Sequence, residues 1–372
     1  MQAHFLKFLF DVNLLHSLES LSRTALNWVM AMYATHLGSG MSLSLKPLQT
    51  STIRLYLAAA SAFISVFVPN CLDARKVQDG DKAFCLQLQA VLSECERYDK
   101  KTNKREPYTI EMQRFLDQEA TTSGQSDSSL ASCADWFMLG LFFGFRKSEW
   151  AQPNGNTNIA APYRDPKEKN PDLAQIAAFC WDDFEFMKGP RVISLQEFRD
   201  SPESSIDAVR LRWRIQKNGD RGQQKRLARH RSDPSLCGVT RAISIAKRFL
   251  RLFPNRDPPR DVPLALYRGK QHKVMLISDK VLEGHMRRAA AAVYKFDVSK
   301  PDEKKAVNLW SSHSLRVGAC VILHVNGCSA ETIKFLLRWR SDAFMEYLRN
   351  LTALSNVQNK AMKDTDLMPQ FF

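Results

Sequence analysis

The sequence predicts a mainly α-helical chain with a small β-sheet (α+β), divided into two domains. Apolar residues recur at helical spacing in most segments, one segment alternates with a period of two, and a charged stretch ending in proline follows the first hundred residues. At 372 residues the chain is long enough for two ordinary domains with separate cores. We expect these domains to cover residues 1–105 and 106–372.

The first domain reads as a helical module. Residues 53–67 carry apolar side chains every three or four positions, behind the capping candidates Thr50 and Ser51. The stretch Arg97–Pro107 is charged and lacks aliphatic residues, which predicts a linker. An earlier run with the same helical spacing consists of Leu26, Met30, Tyr33 and Leu37.

The second domain opens with a helix for which Thr109 is the predicted cap. A strongly apolar helix follows over residues 132–143 and is ended by Gly144. Residues 152–171 are polar and contain proline, which predicts a loop. Further helices are expected at 239–253, at 279–294 and through most of the chain from His313 onward.

One strand and a hairpin are predicted between these helices. Apolar residues from Val209 to Ile215 alternate with polar ones, most of them arginine, and the alternation ends at Asn218 and Gly219. An Asn-Gly pair at this point is typical of a type I′ turn, so a second strand should return antiparallel to the first. The segment from Arg210 to Arg231 has nine Lys or Arg and one acid.

The overall charge favours a polyanionic partner. Lys and Arg number 53 against 39 Asp and Glu, and the pI is near 9.4. The eight cysteines show no Cys-x-x-Cys pair, which is typical of reduced thiols rather than of disulfides or a zinc site. The most apolar run, residues 55–68, is shorter than a membrane span and is expected to form a buried helix, so we expect no membrane partner; no secretory signal is expected at the N-terminus.

The segment from Trp310 to Asn350 carries the most specific pattern in the chain. Ser311 or Ser312 is predicted to cap a helix on which His313 and Arg316, three residues apart, share one face. Trp339 follows in a short connection, and a last helix carries Tyr347. The order His-x-x-Arg, Trp, Tyr resembles the second conserved block of the tyrosine recombinases, the phage-integrase family.

Two upstream features complete the resemblance. The turn Gly144–Glu149 is similar to the family's first block, which implies that Arg146 is the first active-site arginine, with Glu149 in a supporting role. The family also carries a lysine on a β-hairpin, and Lys217 is the predicted equivalent, with Lys225 as the alternative. The resemblance covers roughly residues 109–354, and the helical first domain is similar, less specifically, to the family's core-binding domain.

The resemblance implies strand cleavage and rejoining of DNA through a 3′-phosphotyrosine. Arginine can offer forked donors to phosphate oxygens, so Arg146 and Arg316 would bind the scissile phosphate. His313 would donate a hydrogen bond and assist proton transfer, Trp339 would hold an oxygen, and the hairpin lysine would act as general acid. Tyr347 would be the nucleophile, and we expect the surrounding cations to lower its pKa.

No cofactor or metal is expected for this chemistry. In the family four protomers act on double-stranded DNA, which implies a homotetramer on DNA, in which residues after Tyr347 could be exchanged between subunits. The second block is most similar to recombinases of Crypton and DIRS-like elements, which implies mobile-element integration and excision in the nucleus; a phage or plasmid enzyme would act in a bacterial cytoplasm. Two alternatives stay open: a type IB topoisomerase-like enzyme, and a domesticated DNA-binding protein without catalysis.

Overall fold

A computed structural model of the protein describes residues 1–41, 46–99, 104–151, 178–214, 216, 221–254, 257–259, 262–339 and 341–348. The chain forms two compact units, Met1–Thr102 and Asn103–Phe372. In the described residues α-helices dominate both units, and the strands belong to the second unit. The predicted fold class, mainly α with a small β-sheet, is confirmed.

Unit 1 is a helical module with its own apolar core. The two predicted helices are confirmed, but the predicted caps of the second are wrong, because Thr50 is already its first helical residue. The Thr50 N–H instead donates to the carboxylate of Asp99, 2.9 Å away, so a charged acceptor from another helix satisfies this helix end. The helices are α1 (Gln2–Asp11), α2 (Arg23–Gly38), α3 (Thr50–Phe67) and α4 (Leu86–Tyr98).

Helix α3 contains the apolar run that the sequence predicted as a buried helix. Among the described residues it is one helix whose length and composition would suit a membrane span. Ile53, Leu57, Ala60 and Ile64 are fully buried along one face, while Leu55 is exposed. This one-sided burial is the pattern of an amphipathic helix that covers a protein core.

Unit 2 combines helices with two small antiparallel sheets. The larger sheet has the strand order β2-β1-β3-β4, and β5 pairs with β6. The strands are β1 (Phe184–Lys188), β2 (Arg191–Val192), β3 (Ala208–Arg212), β4 (Gln224–Ala228), β5 (Leu266–Arg268) and β6 (Val274–Leu276). The helices are α5 (Ile110–Ser123), α6 (Ser129–Phe143), α7 (Leu195–Asp200), α8 (Gly238–Leu252), α9 (Asp279–Tyr294), α10 (Pro301–Val307), α11 (Ser314–Val325), α12 (Ala330–Leu337) and α13 (Met345–Leu348).

Helix α6 is the centre of unit 2 and packs against α5, α8 and α11. It is buried on nearly all sides, which explains why its sequence is apolar throughout rather than along one stripe. Close contact with α11 leaves little room at Gly140 of α6, where a Cβ would lie 3.2 Å from Cδ1 of Leu315 on α11. The same packing brings the C-terminal end of α6 close to the start of α11.

Two local expectations differ from the structure. Strand β3 ends at Arg212, earlier than the predicted alternation, although burial continues to alternate through Trp213, which is 1% exposed and donates its indole N–H to Glu149. Helix α11 begins at Ser314 without a serine cap, and the Ser314 hydroxyl instead accepts from the N–H of Ser311. The predicted Asn-Gly turn and the loop at 152–171 lie outside the described residues.

Candidate active site

Arg146 lies in a tight turn that follows α6. Gly144 ends the helix in the left-handed conformation, with φ 56°, and a Cβ there would come within 2.9 Å of the Leu337 side chain. The next residues form a single helical turn in which Glu149 accepts hydrogen bonds from both the backbone and the guanidinium of Arg146, at 3.0 and 3.1 Å. Glu149 is 1% exposed, so this carboxylate holds Arg146 from within the core.

The carboxylate of Glu149 has two further partners. Its Oε2 accepts from the indole Nε1 of Trp213 at 3.1 Å and from Nη2 of Arg338 at 2.7 Å. One buried negative charge is therefore shared between the guanidinium groups of Arg146 and Arg338. This arrangement leaves a local excess of positive charge.

Arg316 lies in the first turn of α11 and is 1% exposed. Its Nη1 donates to the carbonyl oxygen of Gly144 at 2.7 Å, and its guanidinium carbon lies 4.1 Å from the ring centroid of Trp339. Its buried Nη2 has no acceptor among the described residues. Burial, followed by the charges of Arg146 and Arg338, lowers the pKa of Arg316 to about 9. An anion beside Arg316 would offset both the cost of burying its charge and the repulsion from Arg146 and Arg338.

Tyr347 on α13 meets His313 across the site. The hydroxyl oxygen of Tyr347 lies 2.7 Å from Nε2 of His313, and its ring centroid lies 5.8 Å from that of Trp339. The expected fall in the tyrosine pKa is wrong for this state of the protein: burial raises the pKa of Tyr347, and this outweighs the opposing charge of Arg316. Tyr347 is therefore a neutral phenol next to a histidine that can accept its proton.

Trp339 packs against the site but makes no polar contact there. Its ring lies between the guanidinium of Arg316 and the ring of Tyr347. Its buried Nε1 has no acceptor among the described residues. The indole N–H thus remains available to an acceptor that enters the site.

The two candidate lysines differ in what the structure describes. Lys217 lies outside the described residues. Lys225 lies on β4 opposite Leu211, and its Nζ donates to the carbonyl oxygens of Phe335, at 2.5 Å, and of Leu336. Burial, then the charges of Arg338 and Arg316, lowers the pKa of Lys225 to about 8. Lys225 is thus an electrostatic neighbour of the arginine cluster.

Arg338 and Trp213 are members of this cluster that the sequence pattern did not indicate. The sequence predicts Trp213 as one of the apolar residues of the alternating strand, and Arg338 as part of a short connection. In the structure the guanidinium of Arg338 stacks 4.0 Å from the ring centroid of Trp213. No spacing rule predicts this pair, because the two residues are far apart in sequence and only tertiary packing brings them to each other and to Glu149.

Several arginines of the basic hairpin already have acidic partners. Arg210 pairs with Glu185, and Arg212 and Arg214 pair with the fully buried Asp183. Pairing across the sheet therefore neutralises part of the charge that the sequence concentrates here. In the described part of the hairpin, Lys225 brings positive charge next to the arginine cluster.

No family model matches the sequence, and no curated protein matches it. Among solved structures, the chain is similar to the Tn1549 transposon integrase (residues 82–397) in complex with circular intermediate DNA. The two share 13% sequence identity with a TM-score of 0.39, over 95% of this chain and 92% of that chain. At this identity and TM-score the similarity does not establish a function for the chain.

Proposed function

We propose that the chain is a DNA recombinase that cleaves and rejoins strands through a 3′-phosphotyrosine at Tyr347. One observation carries the proposal: the Tyr347 hydroxyl contacts His313 beside Arg316, whose buried Nη2 has no acceptor in the part of the chain that the structure describes. A nucleophile, a base and an unsatisfied cation in one place are the groups that attack on a phosphodiester requires.

Arg146 and Arg316 can stabilise the negative charge that makes a phosphodiester resistant to attack. A phosphodiester is negatively charged, and its oxygens gain further charge in the transition state. Nη1 of Arg316 is fixed by its bond to Gly144 while Nη2 has no acceptor within the described ranges, and Arg146 is oriented by Glu149. Fixed guanidinium groups can stabilise this developing charge without having to reorganise during the reaction.

The reaction needs one group that takes a proton from the nucleophile and one that gives a proton to the leaving oxygen, and the site contains both. His313 takes the proton of the Tyr347 hydroxyl as the phenolic oxygen bonds to phosphorus, and the bond from phosphorus to the 5′ oxygen breaks. Lys225 supplies a proton to that leaving oxygen. The reverse sequence, with the 5′-hydroxyl of another strand as the nucleophile, rejoins DNA, because the phosphotyrosine conserves the energy of the original ester.

Lys225 rather than Lys217 is our candidate for the general acid. An acid works best when its pKa is close to the working pH, and the pKa of Lys225 is lowered to about 8 from an ordinary 10.5. Its Nζ also rests on the last turn of α12, immediately before Arg338 and Trp339.

The charge distribution favours double-stranded DNA as the substrate. Unit 2 has 43 Lys and Arg against 31 Asp and Glu, whereas unit 1 has ten against eight. Most of the excess positive charge is thus in the unit that holds the candidate site. On the resemblance of its motifs, we further propose that the protein acts as a homotetramer on DNA, serves a mobile element and works in the nucleus.

The decisive experiment uses a nicked suicide duplex cut from candidate element ends. Cleavage next to the nick releases a short fragment, so the covalent protein–DNA adduct cannot reverse and is seen on a denaturing gel. We expect an adduct with the wild-type protein and none with Tyr347→Phe. Tyr98→Phe, at an exposed tyrosine of unit 1, is the matched control and should form the adduct normally.

The same assay separates the alternatives. An adduct of equal yield with Tyr347→Phe would show that the nucleophile is another residue. Catalytic relaxation of supercoiled plasmid without joined products would indicate a topoisomerase-type enzyme. Binding of the duplex without any adduct would indicate a DNA-binding protein that lacks catalysis.

A further inference from the structure

Arg338 occupies an unusual place for an arginine. It follows the last residue of α12 in the left-handed conformation, with φ 57°, which favours glycine. Its side chain is only 3% exposed. A buried charge in a disfavoured backbone conformation persists only when the surrounding contacts compensate for both.

The contacts of Arg338 link three parts of the site. Its Nη2 donates to Glu149 at 2.7 Å and its Nη1 to the carbonyl oxygen of Phe143 at 3.3 Å, which ties it to the end of α6 and the Arg146 turn. Its guanidinium stacks on Trp213, at the end of β3. Its backbone adjoins Trp339 and the carbonyl groups that receive Lys225.

These contacts hold the positive charge of Arg338 close to that of Arg146, because both guanidinium groups bond the carboxylate of Glu149. Burial lowers the pKa of Arg338 to about 10, and Arg146 acts in the same direction, while Glu149 opposes both. Nε of Arg338 is buried without an acceptor among the described residues. If Arg338 served only to hold the fold together, an uncharged side chain packed on Trp213 would be enough. Such a side chain would avoid both the cost of burying a charge and the cost of an unpaired Nε.

We propose that Arg338 is a positioning residue for strand cleavage: it joins the end of α12, with Trp339 and the contact site of Lys225, to the carboxylate that orients Arg146. This inference rests on the function proposed above. It assigns Arg338 two effects on the reaction, one through geometry and one through charge. The geometric effect sets the relative positions of Arg146, Trp339 and Lys225.

The charge effect acts on Lys225. The charged groups that face its ammonium are Arg338 at the end of α12 and Arg316 on α11, and the other contacts are the Phe335 ring, 5.0 Å away, and two carbonyl oxygens. The charge of Arg338 lowers the pKa of Lys225 more than the charge of Arg316 does. Removing the charge of Arg338 should therefore raise that pKa and make Lys225 a weaker acid, an effect that loss of packing alone would not produce.

The test measures single-turnover cleavage of two suicide duplexes that differ in one atom. In one the scissile 5′ oxygen is replaced by sulfur, which leaves without protonation, so the ratio of sulfur to oxygen cleavage rates reports the need for an acid. For Arg338→Met we expect a slower reaction with the oxygen duplex. We also expect the pH at which the ratio begins to rise to move upward by on the order of one unit.

Two further variants make the result specific. Arg338→Lys keeps the charge but loses the forked contacts with Glu149 and Phe143, so its rate should fall while the pH dependence of the ratio stays as in the wild type. Arg248→Met removes another buried arginine and serves as the matched control for lost stability. Arg248 pairs with Asp135 at a distance of 2.6 Å, and this pair is not part of the candidate site.

The outcomes distinguish this inference from the proposed function. If the wild-type protein forms no adduct, the proposed function itself fails. If the wild-type protein cleaves and Arg338→Met matches Arg248→Met in both rate and ratio, the role assigned to Arg338 is wrong. Should Arg338→Met not fold, Arg338→Lys decides, because a wild-type rate for that variant would equally overturn the inference.

Discussion

If Lys225 is the general acid, the chemistry of cleavage depends on pH in a way that its surroundings set. The pKa of Lys225 is lowered to about 8 from 10.5, chiefly by burial. A lysine with a lowered pKa is charged below that value and loses its proton above it. At about pH 9 only about one Lys225 in eleven would still hold its proton, against nearly all of an unperturbed lysine.

Rising pH affects the nucleophile in the opposite way, because it favours the reactive form of Tyr347 while it removes the proton of Lys225. Burial raises the pKa of Tyr347, so the fraction of phenolate grows with pH throughout the range in which Lys225 loses its proton. The cleavage rate alone would therefore combine two opposing trends. Because both duplexes react with the same tyrosine, the ratio of sulfur to oxygen rates cancels the nucleophile and isolates the acid.

We expect that ratio to be constant below about pH 7.5 and to rise about tenfold per pH unit above about pH 8. Lys225→Ala should abolish the rise and slow the oxygen duplex by about 10²–10⁴-fold, with little effect on the sulfur duplex. Lys217→Ala is the matched control and should keep the wild-type profile. A ratio that stays flat to about pH 10, or that depends on Lys217 instead, would refute the assignment of Lys225.

Two further predictions concern binding and stability. Arg316→Ala should retain binding of the nicked duplex but lose cleavage by about 10²–10³-fold, as measured by titration and adduct yield; loss of binding alone would reduce Arg316 to a backbone contact. Gly318→Ala should destabilise unit 2 by about 1–3 kcal/mol, because its Cβ would lie 2.1 Å from the Tyr108 carbonyl oxygen. Gly284→Ala, in α9 with nothing within 4 Å of the added Cβ, should instead stabilise it by about 0.5–1 kcal/mol in the same urea titration.

Much of the fold could be predicted because local signals were strong. The helix over residues 279–294 was expected with the bounds that α9 has, and Thr109 caps α5 as predicted, accepting from the Met112 N–H. Gly144 ends α6 in the left-handed conformation that its position indicated. These features depend on contacts within a few residues, which the sequence displays directly.

Expectations failed where a distant group competed with a local one. At the N-terminal end of α3, the backbone N–H of Thr50 donates to Asp99 rather than to a side-chain cap from Thr50 or Ser51. A carboxylate supplied by tertiary packing thus outweighs the local capping preference there.

The order and types of the candidate residues Arg146, His313, Arg316, Trp339 and Tyr347 were determined by the sequence alone, since each occupies a recognisable position in a helix or turn. Only the tertiary structure showed that Lys225 lies next to the arginine cluster, and that a third arginine, Arg338, shares Glu149 with Arg146. It also decided the direction of the Tyr347 pKa. Burial and charge proximity arise from chain segments that are remote in sequence, so no local pattern can encode them.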